Sequence, residues 1–217
     1  MIPLRDVIPS RTTPYVTVTI IILNALAWFF EISMPREELS RFLQVWGVVP
    51  AAFIPLTLFS SMFLHGSWSH VIGNMWYLWI FGDNVEDRLG HGRFIGFYLL
   101  CGVIASFGQI MLDPGSTLPM IGASGAIAGV MGGYFVLYPQ SRVLTLIPLI
   151  IFWEFIELPA IMLLGFWFLM QLFSAGAIAA SSHGGGVAFM AHVAGFLCGA
   201  AAIFLFRQPE RPEQYWA

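Results

Sequence analysis

The apolar positions of this chain gather in long unbroken stretches. Six of them fit, or nearly fit, a membrane crossing: 15–33, 67–82, 94–112, 123–140, 159–176 and 186–206. A hydrocarbon core about 30 Å thick takes about 20 helical residues. The second stretch is short and polar at its start, but apolar residues 51–64 lead into it. The first follows Arg5 and Arg11 as a signal peptide would, yet it is too long and lacks a small-residue cleavage site. It reads as a retained helix. Residues 143–153 are apolar but too few to span, and Glu154 and Glu157 follow at once, which suits an interfacial or re-entrant run.

Charge decides between six crossings and seven. With six, and both termini cytoplasmic, Arg5, Arg11, Arg88, Arg93, Arg142, Arg207 and Arg211 lie inside, and only Arg36 and Arg41 lie outside. A seventh crossing through 143–153 would leave five against four, so the positive-inside bias favours six. The second, fourth and sixth helices then all run inward. Each carries its polar residues near its start: His70 and Asn74, Ser124, and His192. At 1.5 Å per residue, His192 lies roughly 9 Å into its helix. Parity alone therefore brings four polar side chains to one depth in the outer leaflet. Residues 34–66 form the longest connection, apolar enough to rest on or partly in that leaflet. With no repeats and no soluble appendage, residues 1–217 read as one all-α, polytopic membrane domain.

Composition agrees. The chain is 58% hydrophobic and 10% charged, with a mean hydropathy of +0.80. A soluble domain needs far more charge to cover its surface. All nine basic residues are arginine and the net charge is −3, so nothing points to nucleic acid as a partner. Cys101 and Cys198 both sit in apolar segments and read as packing residues.

The chemistry lies where polar groups are costly. Ser124 stands in Gly122-Ala123-Ser124-Gly125, at the start of a helix, where backbone N–H groups lack intrahelical acceptors. Serine and histidine are the minimum parts for covalent hydrolysis of an acyl bond. Their helices carry small residues at four-residue spacing, Gly125-Gly129-Gly133 and Gly195-Gly199, which permit close approach. Gly122, Gly125, Gly195 and Gly199 are therefore expected to shape the site. No aspartate lies in either helix to orient His192, so a dyad is expected rather than a triad. His70 and Asn74, at i and i+4, share one helix face and suit an oxyanion site. His65 reads as a brace for its loop, His91 as surface, and His183 as part of a glycine-rich loop within 176–185 that would cover the site. No carboxylate or thiolate joins the histidines at useful spacing, so no metal and no cofactor is expected.

Taken in order, four elements resemble the rhomboid family of intramembrane serine proteases. They are His70-x-x-x-Asn74, Gly122-x-Ser124-Gly125, Ala191-His192-x-x-Gly195-x-x-x-Gly199 and the glycine-rich loop before the last of these. Asn84-Val85-Glu86-Asp87-Arg88-Leu89-Gly90 also resembles bacterial members. The resemblance implies a six-helix rhomboid-like bundle. It further implies Ser124 as nucleophile, His192 as general base and acid, and His70, Asn74 and the Ser124 N–H as oxyanion donors. The substrates it implies are membrane-anchored proteins cut in or near their transmembrane segments, and the membrane a bacterial cell membrane. Some members stack a tyrosine, four residues after the serine, on the catalytic histidine; here that position is Ala128. Two other readings compete. A client-binding relative that does not cleave has no need of both Ser124 and His192. A small transporter would need polar residues at full membrane depth, and the inner halves of the fourth and sixth helices have almost none.

Overall fold

A computed structural model describes residues 1–148, 153–180 and 187–209. The described chain forms strand β1 (Ile2–Asp6) and helices α1 (Tyr15–Ile32), α2 (Arg36–Trp46), α3 (Thr57–Ser60), α4 (Trp68–Leu89), α5 (His91–Leu112) and α6 (Ser124–Leu137). Strands β2 (Arg142–Pro148) and β3 (Trp153–Pro159) follow, then helices α7 (Ala160–Ala180) and α8 (Phe189–Phe206). Four helices, α1, α5, α7 and α8, are long and apolar enough to cross a membrane. Helix α6 is apolar but shorter, and α4 is 22 residues long with a polar C-terminal third. The chain is thus a mostly helical, multi-pass membrane protein.

Helix α6 is the axis of the bundle. All residues from Gly125 to Tyr134 are buried, against α8, α5, α4 and α7. Its glycines make this packing close. A Cβ on Gly195 would run into the Gly125 carbonyl, and one on Gly199 into the Gly129 carbonyl, both well inside van der Waals contact. In lipid, where no hydrophobic effect drives helices together, such backbone-on-backbone packing is a main source of association. Fourteen residues reach only about 21 Å, less than the hydrocarbon thickness. The C-terminal end of α6 lies beside the polar tail of α4, where Tyr138 Oη donates to the Asn84 carbonyl at 3.3 Å. Its N-terminal end, Ser124, therefore stops short of the opposite face.

The apolar expectations locate the helices and miss some of their ends. Helix α4 runs seven residues past position 82 because its polar tail has partners. The Glu86 carboxylate accepts from the N–H groups of Val16 and Thr17 at 2.9 and 2.8 Å, capping α1, and contacts His91 Nδ1 at 2.6 Å. Gly90, at φ 79°, then ends the helix in a conformation that favours glycine. Helix α6 stops at Leu137, before Pro139, and α8 starts at Phe189. Gly186 lies outside the described residues.

The run 143–153 does not cross. Its described ends form β2 and β3, an antiparallel pair in register from Arg142↔Pro159 to Pro148↔Trp153. β1 adds to the other edge of β2, giving the order β1-β2-β3. The sequence reading contained no strand. Ala160 N–H donates to Ser141 O at 2.7 Å, so the hairpin returns to the end it left and helix parity is kept. Residues near both termini meet at that same end. Arg11 and Thr12 donate backbone N–H groups to Asp87, and Gln208 exchanges bonds with Arg88 and Leu89.

Two outcomes are expected. Gly199→Ala, which forces a methyl group against the Gly129 carbonyl, should destabilise the bundle by about 1–3 kcal/mol, the usual scale of overpacking. Gly176→Ala, with nothing within 4 Å of the new Cβ, should melt at or above wild type; equal loss in both would refute the close-contact argument. The second outcome concerns Asp6, whose carboxyl accepts from Tyr134 Oη at 2.6 Å and Asn84 Nδ2 at 3.0 Å. Burial raises its pKa from the ordinary value to about 6. Its neutral form therefore suits the fold, a contribution complete at low pH and lost as pH rises through about 6. Asp6→Asn should melt at or above wild type at pH 7.5 and lose that advantage by pH 5; a wild-type advantage growing with pH would contradict this.

Candidate active site

A cavity of about 690 Å³ opens at the end of the bundle opposite the termini, lined by His70, Asn74, Ser124, Trp167 and His192 among others. Ser124 begins α6 two residues after Gly122, whose φ is 120°. A side chain on Gly122 would be strained by that φ and would also meet the His70 ring at under 3 Å. Its N–H donates to Ser61 O at 2.8 Å, which pins the turn presenting Ser124.

His192 lies one turn into α8, and its Nε2 is 2.8 Å from Ser124 Oγ. Its Nδ1 is 2.8 Å from Gln171 Oε1, on α7. An amide oxygen only accepts, so this arrangement calls for the proton on Nδ1 and the Nε2 lone pair toward the serine hydroxyl. The Trp167 ring lies 5.8 Å from the imidazole at 37°, and Phe189 meets it edge-on at 6.4 Å. Ala128 is buried in the core of the bundle.

His70 and Asn74 share a face of α4, started by Ser67, whose Oγ accepts from the His70 N–H at 3.2 Å. His70 Nδ1 faces the Gly66 N–H at 3.5 Å, and its ring abuts His65 at 4.9 Å. Asn74 Nδ2 donates to His65 Nε2 at 2.9 Å, leaving its second N–H unengaged by that contact. His65 is fully buried, and its backbone N–H donates to the Glu31 carboxylate on α1 at 3.1 and 3.2 Å. Burial, followed by the nearby His70, pushes the His65 pKa down to about 4, so it is neutral at pH 7.

All four polar residues singled out in the sequence thus line one cavity. Gly125 and Gly195 touch at the first level of the α6–α8 contact, and Gly129 and Gly199 at the next. His91 is half-exposed beside Glu86, at the far end. His183 lies outside the described residues, as does half of the expected lid, residues 181–185; the other half, 176–180, is not loop but the last part of α7. Sequence reasoning did not single out Gln171, nor His65 and Glu31 as the support behind Asn74. The signal was available. Gln171 and Glu31 are polar residues inside otherwise apolar helices, where such groups are costly and rare.

A family model described as Rhomboid domain matches residues 52–209. The chain belongs to the rhomboid family. Among curated relatives, it is 33% identical over 102 residues to Presenilin-associated rhomboid-like protein A, mitochondrial, of Danio rerio, covering 46% of this chain and 26% of that protein. It is 29% identical over 110 residues to Rhomboid protein 1, mitochondrial, of Saccharomyces cerevisiae, covering 48% and 32%. With Rhomboid-like protein 11, chloroplastic, of Arabidopsis thaliana it shares 26% identity over 198 residues, covering 84% and 65%. The matches thus span about a quarter to a third of those two mitochondrial relatives. These rhomboid relatives are named for mitochondria or chloroplasts, so they give no support to the expected bacterial cell membrane.

Proposed function

We propose that this rhomboid-family chain is an intramembrane serine endopeptidase, acting as a single six-crossing domain on transmembrane or membrane-anchored proteins. The observation carrying this reading is the 2.8 Å contact between His192 Nε2 and Ser124 Oγ, inside the hydrogen-bond range a nucleophile–base pair needs. As His192 Nε2 takes the hydroxyl proton, Ser124 Oγ attacks the scissile carbonyl carbon. The resulting oxyanion is met by the Ser124 N–H, at the positive end of α6, and by His70 and Asn74. The tetrahedral species collapses as His192 returns the proton to the leaving amine. Water, activated by the same nitrogen, then hydrolyses the acyl-enzyme. The cavity receives that water from the end opposite the termini. The arginine count supports placing both termini on the inner side.

A client-binding role without cleavage is the second reading. The close Ser124–His192 pair favours the enzyme, because a binder gains nothing from a nucleophile held against a base.

A serine-directed phosphonate should modify the detergent-solubilised protein at Ser124. Ser124→Ala should abolish labelling, and His192→Ala should lower cleavage of a transmembrane substrate as far as the double variant does, because members of a catalytic unit are not additive. Labelling that persists in Ser124→Ala would remove the nucleophile assignment. Asn74→Ala, which also orphans His65 Nε2, should cost about 1–3 kcal/mol of stability, yet its folded fraction should lose about 10²–10³ in turnover, the usual cost of one oxyanion donor. A large fall in melting temperature with normal activity in the folded fraction would make Asn74 a packing residue instead.

A further inference from the structure

The geometry points to Gln171 as the residue that sets the tautomer and orientation of His192, a positioning role that rests on the protease reading for its catalytic meaning. A serine–histidine pair works as nucleophile and base only if the nitrogen facing the serine is unprotonated. In a neutral imidazole that is settled by the partner of the other nitrogen. Here that partner is Gln171 Oε1, 2.8 Å from Nδ1, and the oxygen has no proton to give. The opposite tautomer would leave two acceptors face to face across that contact and place an N–H against the serine hydroxyl.

The location of the support matters as much as its chemistry. Ala128 and the glycines of α6 provide no side chain that could hold the ring, and α8 provides only Phe189 edge-on. The Trp167 ring and the acceptor of Gln171 stand at i and i+4 on α7, so one helix face supplies both a tilted ring contact and the hydrogen bond. In this chain the imidazole is held from α7, the same helix that walls the cavity with Trp167. The hydrogen bond also strengthens when His192 becomes imidazolium, since charge-assisted bonds are roughly twice as strong as neutral ones. Gln171 therefore stabilises the charged base more than the resting one, which is an effect on turnover and not on substrate binding.

The test reads the tautomer directly and needs no turnover. Protein labelled with ¹⁵N-histidine is observed by NMR in micelles, with the His192 signals assigned by their loss in His192→Gln. Wild type should show a protonated Nδ1 and a free Nε2. Gln171→Met, similar in size but without an acceptor, should lose this single tautomer, and kcat should fall by roughly 10²-fold, within the range of general-base contributions, with KM within about twofold. Gln171→Glu keeps an acceptor oxygen at the same reach and should retain the tautomer and most of the turnover. A protonated Nε2 in wild type, or an unchanged tautomer in Gln171→Met, would overturn the proposal. Equal losses in the Met and Glu variants would assign Gln171 to packing and overturn it as well. Should wild type show the expected tautomer but neither cleave nor react with a phosphonate, the protease reading fails while the Gln171–His192 assignment stands.

Discussion

The site depends on how closely α6 and α8 approach. Ser124 and His192 lie 68 positions apart in sequence, and their 2.8 Å contact exists because the helices carrying them touch backbone to backbone. Gly195 lies on the Gly125 carbonyl, and Gly199 on that of Gly129 one turn further along. No leucine or valine could stand at these positions without pushing the helices apart, which would convert a hydrogen bond into a gap. Small residues in membrane helices usually mean packing alone. Here the same packing sets the distance on which the chemistry relies.

Depth follows from length. Because α6 is only 14 residues long, and its far end lies beside the polar tail of α4, Ser124 starts a helix too short to span the full hydrocarbon thickness. The polar tail of α4 anchors the other end. Glu86 caps α1 and contacts His91, Asp87 gathers residues 11 and 12, and Arg88 and Leu89 bind Gln208. The charged groups of α4 are thus kept where the chain's connections are, leaving the other end to the neutral polar residues of the cavity. The hairpin of β2 and β3 fits this division, since it leaves and returns at the anchored end.

Asn74 and His192 each have a second residue behind them. Asn74 leans on His65, whose backbone is held by Glu31 from α1. His192 leans on Gln171 and Trp167 from α7. Buried polar groups need such partners, because an unsatisfied one costs more than a hydrogen bond returns. The partners come from helices that are distant in sequence from the groups they support, so the cavity draws on α1, α4, α6, α7 and α8 together.

The sequence by itself determined the helical, membrane-embedded class. Long apolar runs have only one economical solution in lipid, the helix, which satisfies every backbone group internally. It also determined that His70, Asn74, Ser124 and His192 share one end of the bundle, because helix parity and the position of each residue within its helix are properties of order alone. The glycine spacing marked which helices would touch. Tertiary structure decided the rest. Residues 143–148 of the apolar run became the central strand of a sheet with β3 and with β1, which lies 137 to 144 positions away, a pairing that no local pattern encodes. The tail of α4 stayed helical because Glu86 found α1. Gln171 met His192 because α7 packs on α8, and a polar residue in an apolar helix signals only that some partner exists. Hydropathy is a property of single segments, whereas hydrogen bonds between helices are properties of pairs, and only the packed bundle specifies the pairs.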